Sequence, residues 1–107
     1  MTGSLANGTV AVNIAANSPL ASPGGMALVT SAAGYFLVTR TSATSFLAVT
    51  AQCTHEACVV SNTTGTSYVC PCHGSEFDTS GRVIVGPAFL PLRQFQTQFT
   101  NNILTIS

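Results

Sequence analysis

The residues with metal-binding chemistry are concentrated in one short stretch of the chain. All four cysteines and both histidines lie between residues 53 and 73. They form two boxes, Cys53-Thr54-His55-Glu56-Ala57-Cys58 and Cys70-Pro71-Cys72-His73-Gly74-Ser75. Each box begins with a cysteine, reaches a histidine two or three positions later and holds one further cysteine. Thiolate and imidazole are both good ligands for iron and zinc, so the stretch is a candidate metal site.

The pairing of ligand types separates the possible metals. Structural zinc sites usually pair Cys with Cys and His with His at wider spacings. Here a cysteine pairs with a histidine twice, which suits a two-iron centre with two thiolates on one iron and two imidazoles on the other. That is the ligand set of a Rieske [2Fe–2S] cluster, and it assigns four ligands: Cys53, His55, Cys70 and His73.

Three other uses of these residues stand as alternatives. They are a zinc knuckle, a pair of structural disulfides with incidental histidines, and a thiol–disulfide exchange site at Cys70-Pro71-Cys72. The paired Cys–His spacing favours the iron cluster over each of them.

The two boxes together resemble the cluster-binding motif of Rieske proteins. Cys-Thr-His…Cys and Cys-Pro-Cys-His-Gly-Ser are similar to the forms found in cytochrome bc1 and b6f complexes and in related bacterial electron-transfer proteins. Downstream, Gly81-Arg82-Val83 and Gly86-Pro87-Ala88 are similar to that branch's glycine–proline loop, which packs near the cluster. The resemblance covers about residues 26–107 and is strongest over 53–91. Ring-hydroxylating dioxygenases share the four ligands but usually carry Trp where Cys72 stands.

The resemblance implies that the two Cys–His pairs hold one [2Fe–2S] cluster and that the remaining cysteines, Cys58 and Cys72, form a disulfide between the ligand loops. Two neutral imidazoles in place of two thiolates leave such a cluster less negative. Its potential therefore lies at about −150 to +300 mV, against roughly −400 mV for all-thiolate plant-type ferredoxins. The expected function is one-electron transfer.

Two residues after the second box bear on the potential. In the bc1-like branch a serine after His-Gly bonds a bridging sulfide, and a tyrosine two positions further on bonds a ligand sulfur. Here Ser75 follows Gly74, but Phe77 stands at the tyrosine position. The lost donor predicts a potential below the top of the Rieske range. An ordinary core role for Phe77 is an equal alternative.

The first box departs from the respiratory form Cys-Thr-His-Leu-Gly-Cys, because Glu56 and Ala57 replace Leu and Gly. A carboxylate beside His55 favours the protonated imidazole, and it weakens the case for an apolar docking tip. A solvated charge at the tip of the loop is an equal reading of Glu56.

The elements that position the boxes read as β-strands. Alternating, β-branched or aromatic runs predict strands over Thr9–Ile14, Met26–Thr30, Tyr35–Arg40, Phe46–Thr50, Thr66–Cys70, Gly81–Val85, Phe95–Thr100 and Ile103–Ile106. Turn residues at Ser31–Gly34 and at Asn101-Asn102 predict hairpins. The expected fold is the all-β Rieske fold. An antiparallel sandwich of N- and C-terminal strands is its base, and residues 51–88 form a small cluster-binding subdomain in one domain of residues 1–107.

The low content of charged residues limits the kinds of molecule that this protein is expected to bind. Charged residues are only 6% of the chain, with three basic and three acidic side chains and no net charge. A nucleic-acid surface needs a clustered basic face, so no nucleic-acid partner is predicted. No apolar run reaches the roughly 18 residues of a membrane-spanning helix. We expect partners to meet a small, largely uncharged patch.

The resemblance implies the soluble domain of a quinol:cytochrome c oxidoreductase-type Rieske subunit, or a stand-alone relative. A quinol or cytochrome b-like donor and a cytochrome c-like acceptor are the expected partners, and no turnover is expected from the chain alone. The disulfide predicts an extracytoplasmic, oxidising compartment, with an upstream signal or anchor in the natural gene. The alternatives are a small subunit of another oxidase, such as arsenite oxidase, a free carrier, and a zinc-stabilised binding module.

Overall fold

The computed structural model describes residues 1–52, 58–72, 74–86 and 90–107. Within these ranges the chain forms twelve strands. In chain order they are β1 (Ser4–Ala6), β2 (Thr9–Asn13), β3 (Met26–Ser31), β4 (Gly34–Arg40), β5 (Phe46–Thr50), β6 (Asn62–Thr63), β7 (Ser67–Val69), β8 (Glu76–Asp78), β9 (Val83–Val85), β10 (Gln94–Phe95), β11 (Thr97–Thr100) and β12 (Ile103–Ile106). The described part of the chain contains no helix with the length and apolar character to cross a membrane.

The strands build three four-stranded antiparallel sheets, which confirms the predicted all-β class. Sheet 1 has the order β1-β2-β12-β11, sheet 2 the order β10-β5-β4-β3, and sheet 3 the order β6-β7-β8-β9. Sheet 1 joins the two ends of the described chain, because Val12 of β2 pairs with Leu104 of β12. The N- and C-terminal strands therefore share the base, as predicted.

Two of the hairpins depend on left-handed backbone at their turns. Asn101 and Asn102 have φ angles of 54° and 61°, which suits the predicted two-residue turn between β11 and β12. Asn7 and Gly8 make a similar turn between β1 and β2, with φ angles of 52° and 77°. Strand β1 was not predicted, although Asn-Gly is a strong hairpin signal.

Sheet 2 is the middle layer of the molecule, because it is buried on both faces. Phe36 and Val38 of β4 belong to a first core, shared with sheet 1. Leu37 lies between them in sequence and belongs to a second core, shared with sheet 3. Successive side chains of a strand point to opposite faces, so the unbroken apolar run in β4 fits a strand covered on both sides.

The first core consists of aliphatic and aromatic side chains from the two base sheets and the loop after β2: Val10, Val12, Ile14, Leu20, Val29, Phe36, Val38, Phe46, Ala48, Leu104 and Ile106. Each large side chain buried in this way contributes about 1.5–3 kcal/mol relative to exposure. Sheet 3 lies within residues 51–88, where the sequence predicts a cluster-binding subdomain. That division of the chain stays a prediction.

Candidate metal centre

The second box forms the loop between β7 and β8. The N–H of Cys70 donates to the carbonyl of Ser75 over 2.8 Å, and the N–H of Gly74 donates to the carbonyl of Cys70 over 3.0 Å. Gly74 has a φ of 76°, a left-handed conformation that favours glycine. These bonds close the loop tightly and fix both of its ends to the neighbouring strands.

The closed loop places Cys70 and Ser75 on one face of sheet 3. Tyr68 pairs with Phe77 and Val69 pairs with Glu76, so the next pair in this register is Cys70 with Ser75. Cys70 is 1% exposed, and Ser75 and Phe77 are fully buried. The thiol, the hydroxyl and the phenyl ring therefore belong to the same buried face of the sheet.

Phe77 is a core side chain next to the candidate ligand. It shares the second core with Cys70, Leu37, Val49, Ala51, Val60, Tyr68 and Leu92. The core role considered for Phe77 is thus confirmed. A part in tuning the iron–sulfur cluster stays a prediction, and Phe77 and Cys70 share one buried core.

The residues that flank the first box are joined by an isolated β-bridge. Gln52 forms an antiparallel bridge with Val59, and the N–H of Val60 donates to the carbonyl of Ala51 over 2.6 Å. The chain therefore leaves β5 and returns at the same place. The predicted ligands Cys53 and His55, together with Glu56 and Ala57, lie outside the described residues. So do His73 and Pro87.

A disulfide joins the two boxes. Cys58 and Cys72 are bonded, with their Cα atoms 6.6 Å apart, and their sequence separation is 14. The resemblance predicts this pairing. The sulfur atoms of Cys58, Cys70 and Cys72 all lie within 4.8 Å of one another. The cross-link between the loops therefore sits directly beside the buried Cys70 thiol.

Sequence reasoning missed one polar contact in the second core. The hydroxyls of Thr39 and Tyr68 are hydrogen-bonded across the gap between β4 and β7. Burial raises the pKa of Tyr68 to about 12, an effect that the bond to Thr39 only partly offsets. Tyr68 is therefore a neutral hydroxyl at physiological pH. Its position two residues before Cys70 is the sequence signal that could have drawn attention to it.

A tight turn fastens the segment that contains the glycine–proline loop. The Asp78 carboxylate accepts hydrogen bonds from the N–H and hydroxyl of Ser80 and from the N–H of Arg82. The N–H of Leu92 then donates to the carbonyl of Gly81 over 2.7 Å. A Cβ at Gly81 would lie 2.6 Å from the Leu92 carbonyl oxygen, so only glycine permits this approach. The two ends of the segment are thus held together beside the second core.

These observations bear on which group the site can hold. Cys70 places a thiol in apolar surroundings, Ser75 places a buried hydroxyl on the same face, and the disulfide ties the two boxes together. Among the described cysteines, Cys70 is the one that lies outside the disulfide. A thiolate with a nearby hydroxyl fits an iron–sulfur cluster.

Comparison with known proteins decides the family. The family model for the Rieske [2Fe–2S] domain matches residues 10–96. The chain belongs to the Rieske family. Rieske domains bind a [2Fe–2S] cluster, and the buried Cys70 and the disulfide-linked boxes of this chain fit that cofactor. Electron transfer is the function consistent with this membership.

Related sequences are iron-sulfur subunits of cytochrome b6-f complexes. The Rieske chain is 37% identical over 101 residues to the chloroplastic cytochrome b6-f complex iron-sulfur subunit of Pisum sativum, covering 84% of this chain and 44% of the relative. It is 44% identical over 59 residues to the corresponding subunit of Prochlorococcus marinus strain MIT 9211, covering 54% and 33%. The chain thus spans between a third and somewhat under half the length of these relatives.

Solved structures share the fold. The cyanobacterial plasma membrane Rieske protein PetC3 from Synechocystis PCC 6803 matches with a TM-score of 0.68 and 32% identity, over 78% of this chain and 86% of that protein. The ferredoxin of carbazole 1,9a-dioxygenase from Nocardioides aromaticivorans IC177 matches with a TM-score of 0.67 over 91% and 96%. Its identity of 20% makes it a match of fold alone.

Proposed function

We propose that this Rieske chain transfers single electrons through a cluster held by Cys53, His55, Cys70 and His73. The observation that carries the proposal is the placement of the buried Cys70 sulfur within 4.8 Å of both sulfurs of the disulfide that joins the two boxes. This placement brings the second box against the end of the first, so ligands from both boxes can serve one centre.

The chain's own residues set the surroundings of that centre. When bound, a Rieske cluster accepts and releases one electron at a higher potential than an all-thiolate cluster. Burial of Cys70 keeps water from its sulfur, and the apolar Phe77 adds no hydrogen-bond donor. The Ser75 hydroxyl is the polar group positioned to stabilise added negative charge. Gly74 allows the turn that brings Ser75 opposite Cys70.

A quinol or cytochrome b-like donor and a cytochrome c-like acceptor are the partners we propose. The related b6-f iron-sulfur subunits belong to a cytochrome complex. Ile84, Val85 and Leu90, which flank the glycine–proline segment, are exposed by 55%, 44% and 54%. Exposed apolar side chains on this segment favour contact with an uncharged partner surface. The chain would act as the soluble domain of a quinol-oxidising complex or as a stand-alone relative.

The disulfide supports an extracytoplasmic site of action. Disulfides form and persist in oxidising compartments and are rare in the cytosol. The bond between Cys58 and Cys72 lies beside the proposed ligand Cys70, and Cys72 is exposed. In a reducing compartment, thiols would therefore reduce the disulfide that links the two ligand loops. We propose that the domain faces the oxidising side of a membrane.

Iron and acid-labile sulfide assays test the proposal, combined with visible absorption of the purified protein. Two irons and two sulfides per chain are expected, and Cys70→Ser should lose both. Ser42→Ala, on an exposed base loop, is the matched control and should keep the full content. Stoichiometric zinc without iron would replace the proposal with the zinc-stabilised module.

The proposed electron donor is tested in a second experiment. The oxidised holoprotein is mixed with a quinol and a cytochrome b-containing membrane fraction. Reduction that requires the cytochrome b fraction and stops with an inhibitor of quinol oxidation supports the proposed partners. Reduction by a soluble reductase alone would assign the chain as a free carrier instead.

A further inference from the structure

A pair of hydroxyl groups spans the second core. Thr39 belongs to β4 of the middle sheet and is 6% exposed, and Tyr68 belongs to β7 of sheet 3 and is 2% exposed. Their hydroxyls are hydrogen-bonded to each other although 29 positions separate them in sequence. A buried hydroxyl without a partner costs about 1–3 kcal/mol, so each group needs the other to be tolerated in this core.

The pair lies on the same face as the Cys70 thiol. Tyr68 and Cys70 are two positions apart along one strand direction, so their side chains point the same way. Tyr68 also pairs with Phe77 across the sheet. All three belong to the second core, in which the other fully buried members, such as Val49 and Val60, are apolar. The Tyr68 hydroxyl is directed to Thr39 of the neighbouring sheet.

A small cleft reaches Tyr68, one member of the pair. It has a volume of about 120 Å³ and lies between sheets 2 and 3, where its lining includes Met26, Leu28, Leu37, Thr63 and Tyr68. Tyr68 is thus both a wall of this cleft and a member of the core that buries Cys70. If the two strands separate, water in the cleft gains a path toward the thiol.

We propose that Thr39 and Tyr68 are positioning residues for the cluster, and that their bond holds β7 against β4 and keeps water from the Cys70 sulfur. The inference rests on the proposed function. Only if Cys70 is a ligand can the exclusion of water from its sulfur affect electron transfer. Water near a ligand sulfur stabilises the more negative reduced cluster and raises the potential. The intact Thr39–Tyr68 hydrogen bond therefore keeps the reduction potential of the cluster lower than it would be with water at the sulfur.

Four variants of the full chain test this proposal. Thr39→Val and Tyr68→Phe each remove one hydroxyl, and their combination removes both. Thr39→Ser keeps a hydroxyl at the same place. The matched control is Thr97→Val, because the Thr97 hydroxyl donates to the Phe46 carbonyl over 3.0 Å inside the base, away from sheet 3.

The readouts are the oxidised-to-reduced ratio of the cluster at a fixed applied potential and amide hydrogen exchange at Cys70 and Gly74. For Thr39→Val and for Tyr68→Phe, the ratio is expected to fall at least threefold, which is about 28 mV at 59 mV per factor of ten. Exchange at both amides should accelerate. The double variant should match the single variants, because all three break the same bond. Thr39→Ser and Thr97→Val should keep the wild-type ratio.

Lower stability with an unchanged ratio and unchanged exchange in both single variants would overturn the proposal and leave the pair a purely structural contact. An equal fall in the oxidised-to-reduced ratio for Thr97→Val would also overturn the proposal. The change in ratio would then follow from a general loss of stability and not from the Thr39–Tyr68 bond. Should Tyr68→Phe fail to fold, Thr39→Val against Thr39→Ser still decides the matter. A wild-type protein without iron would instead refute the proposed function, so the two failures are distinguishable.

Discussion

The two cores of this Rieske chain are built on different principles. Among the described residues, the first core contains only aliphatic and aromatic side chains, and the sheet 2 strands β3, β4 and β5 that contribute to it are five to seven residues long. The second core includes Tyr68 and Cys70, and it packs against a sheet whose strands have two or three residues. Apolar packing stabilises the base. Sheet 3 is stabilised by apolar packing together with a disulfide and specific side-chain hydrogen bonds.

That difference separates stability from function. Strands of two or three residues bury little apolar surface, so sheet 3 relies on the disulfide, the Thr39–Tyr68 bond and the Asp78 turn. Of these features, the disulfide lies beside Cys70, and Tyr68 shares a core with it. Changes in the first core should therefore alter the free energy of unfolding alone, whereas changes around the second core should also alter the cluster.

The largest expected effect comes from the first core. Leu104 is fully buried there, and Leu104→Ala should lower the free energy of unfolding by about 2–5 kcal/mol through lost burial and a new cavity. Chemical denaturation followed by circular dichroism measures this loss. The reduction potential of the folded protein should stay at the wild-type value, and a marked shift would break the distinction between the two cores.

Removing the disulfide should have a somewhat smaller effect on stability and a larger one on the site. The chain-entropy model gives about 3 kcal/mol for a loop of this length. The double change Cys58→Ala/Cys72→Ala should cost roughly that amount and should speed iron loss to a chelator. Leu104→Ala, studied at conditions where it is folded, is the control. Equal rates of iron loss in the two variants would contradict a special role for the cross-link.

Hydrogen-bond donors at the cluster should shift the potential in opposite directions. Ser75→Ala removes a donor and should lower the potential by roughly 40–90 mV, the equivalent of about 1–2 kcal/mol for one electron. Phe77→Tyr adds a hydroxyl and should raise the potential by a similar amount. Voltammetry of both variants and their combination at one pH measures the shifts, which should be nearly additive. Shifts of the same sign would show that solvation, not hydrogen bonding, controls the potential.

The smallest expected effect concerns the turn at Asp78, where the free energy of unfolding should depend on pH. Burial acts to raise the pKa of Asp78, but hydrogen bonds from Ser80 and Arg82 and the charge of Arg82 hold it below the usual 3.8. Because the folded pKa is the lower one, the carboxylate stabilises the fold above about pH 3.8. That contribution is lost as pH falls through the folded value.

Asp78→Asn should therefore cost at most about 1 kcal/mol at pH 6, since water screens this partly exposed group. The difference from wild type should disappear once the pH lies below the folded pKa of Asp78. Denaturation midpoints across this range check the expectation, with Asn62→Asp as a control for an added surface carboxylate. A difference that stays constant as the pH falls would mean that the turn conformation, not the charge, is responsible.

The cluster motif could be predicted from sequence because ligand chemistry restricts residue types and their local spacing. The strands Phe46–Thr50 and Ile103–Ile106 were predicted with their observed bounds, since β-branched and aromatic residues mark them clearly. Strand β8 was missed because Glu76-Phe77-Asp78 has one apolar residue. Pairing with β7 across the closed ligand loop stabilises it instead.

The Thr39–Tyr68 bond could not be predicted in this way. It requires knowledge that β4 is buried on both faces and that its second face packs on sheet 3, which no local pattern supplies. The turn at Asn7-Gly8 is a different case. Its Asn-Gly signal was present, but the polar and small residues around it gave no strand pattern on the N-terminal side.

The central claim is that both histidines are ligands of one iron–sulfur cluster. The chain has only two histidines, so ¹⁵N-histidine labelling marks His55 and His73 and nothing else. Pulsed EPR of the reduced, labelled protein should show two nitrogen couplings to the cluster that change with the isotope. His55→Ala and His73→Ala should each abolish the Rieske signal. A reduced cluster whose spectrum is unaffected by the label would contradict the account, because its ligands would then be other than the two Cys–His pairs.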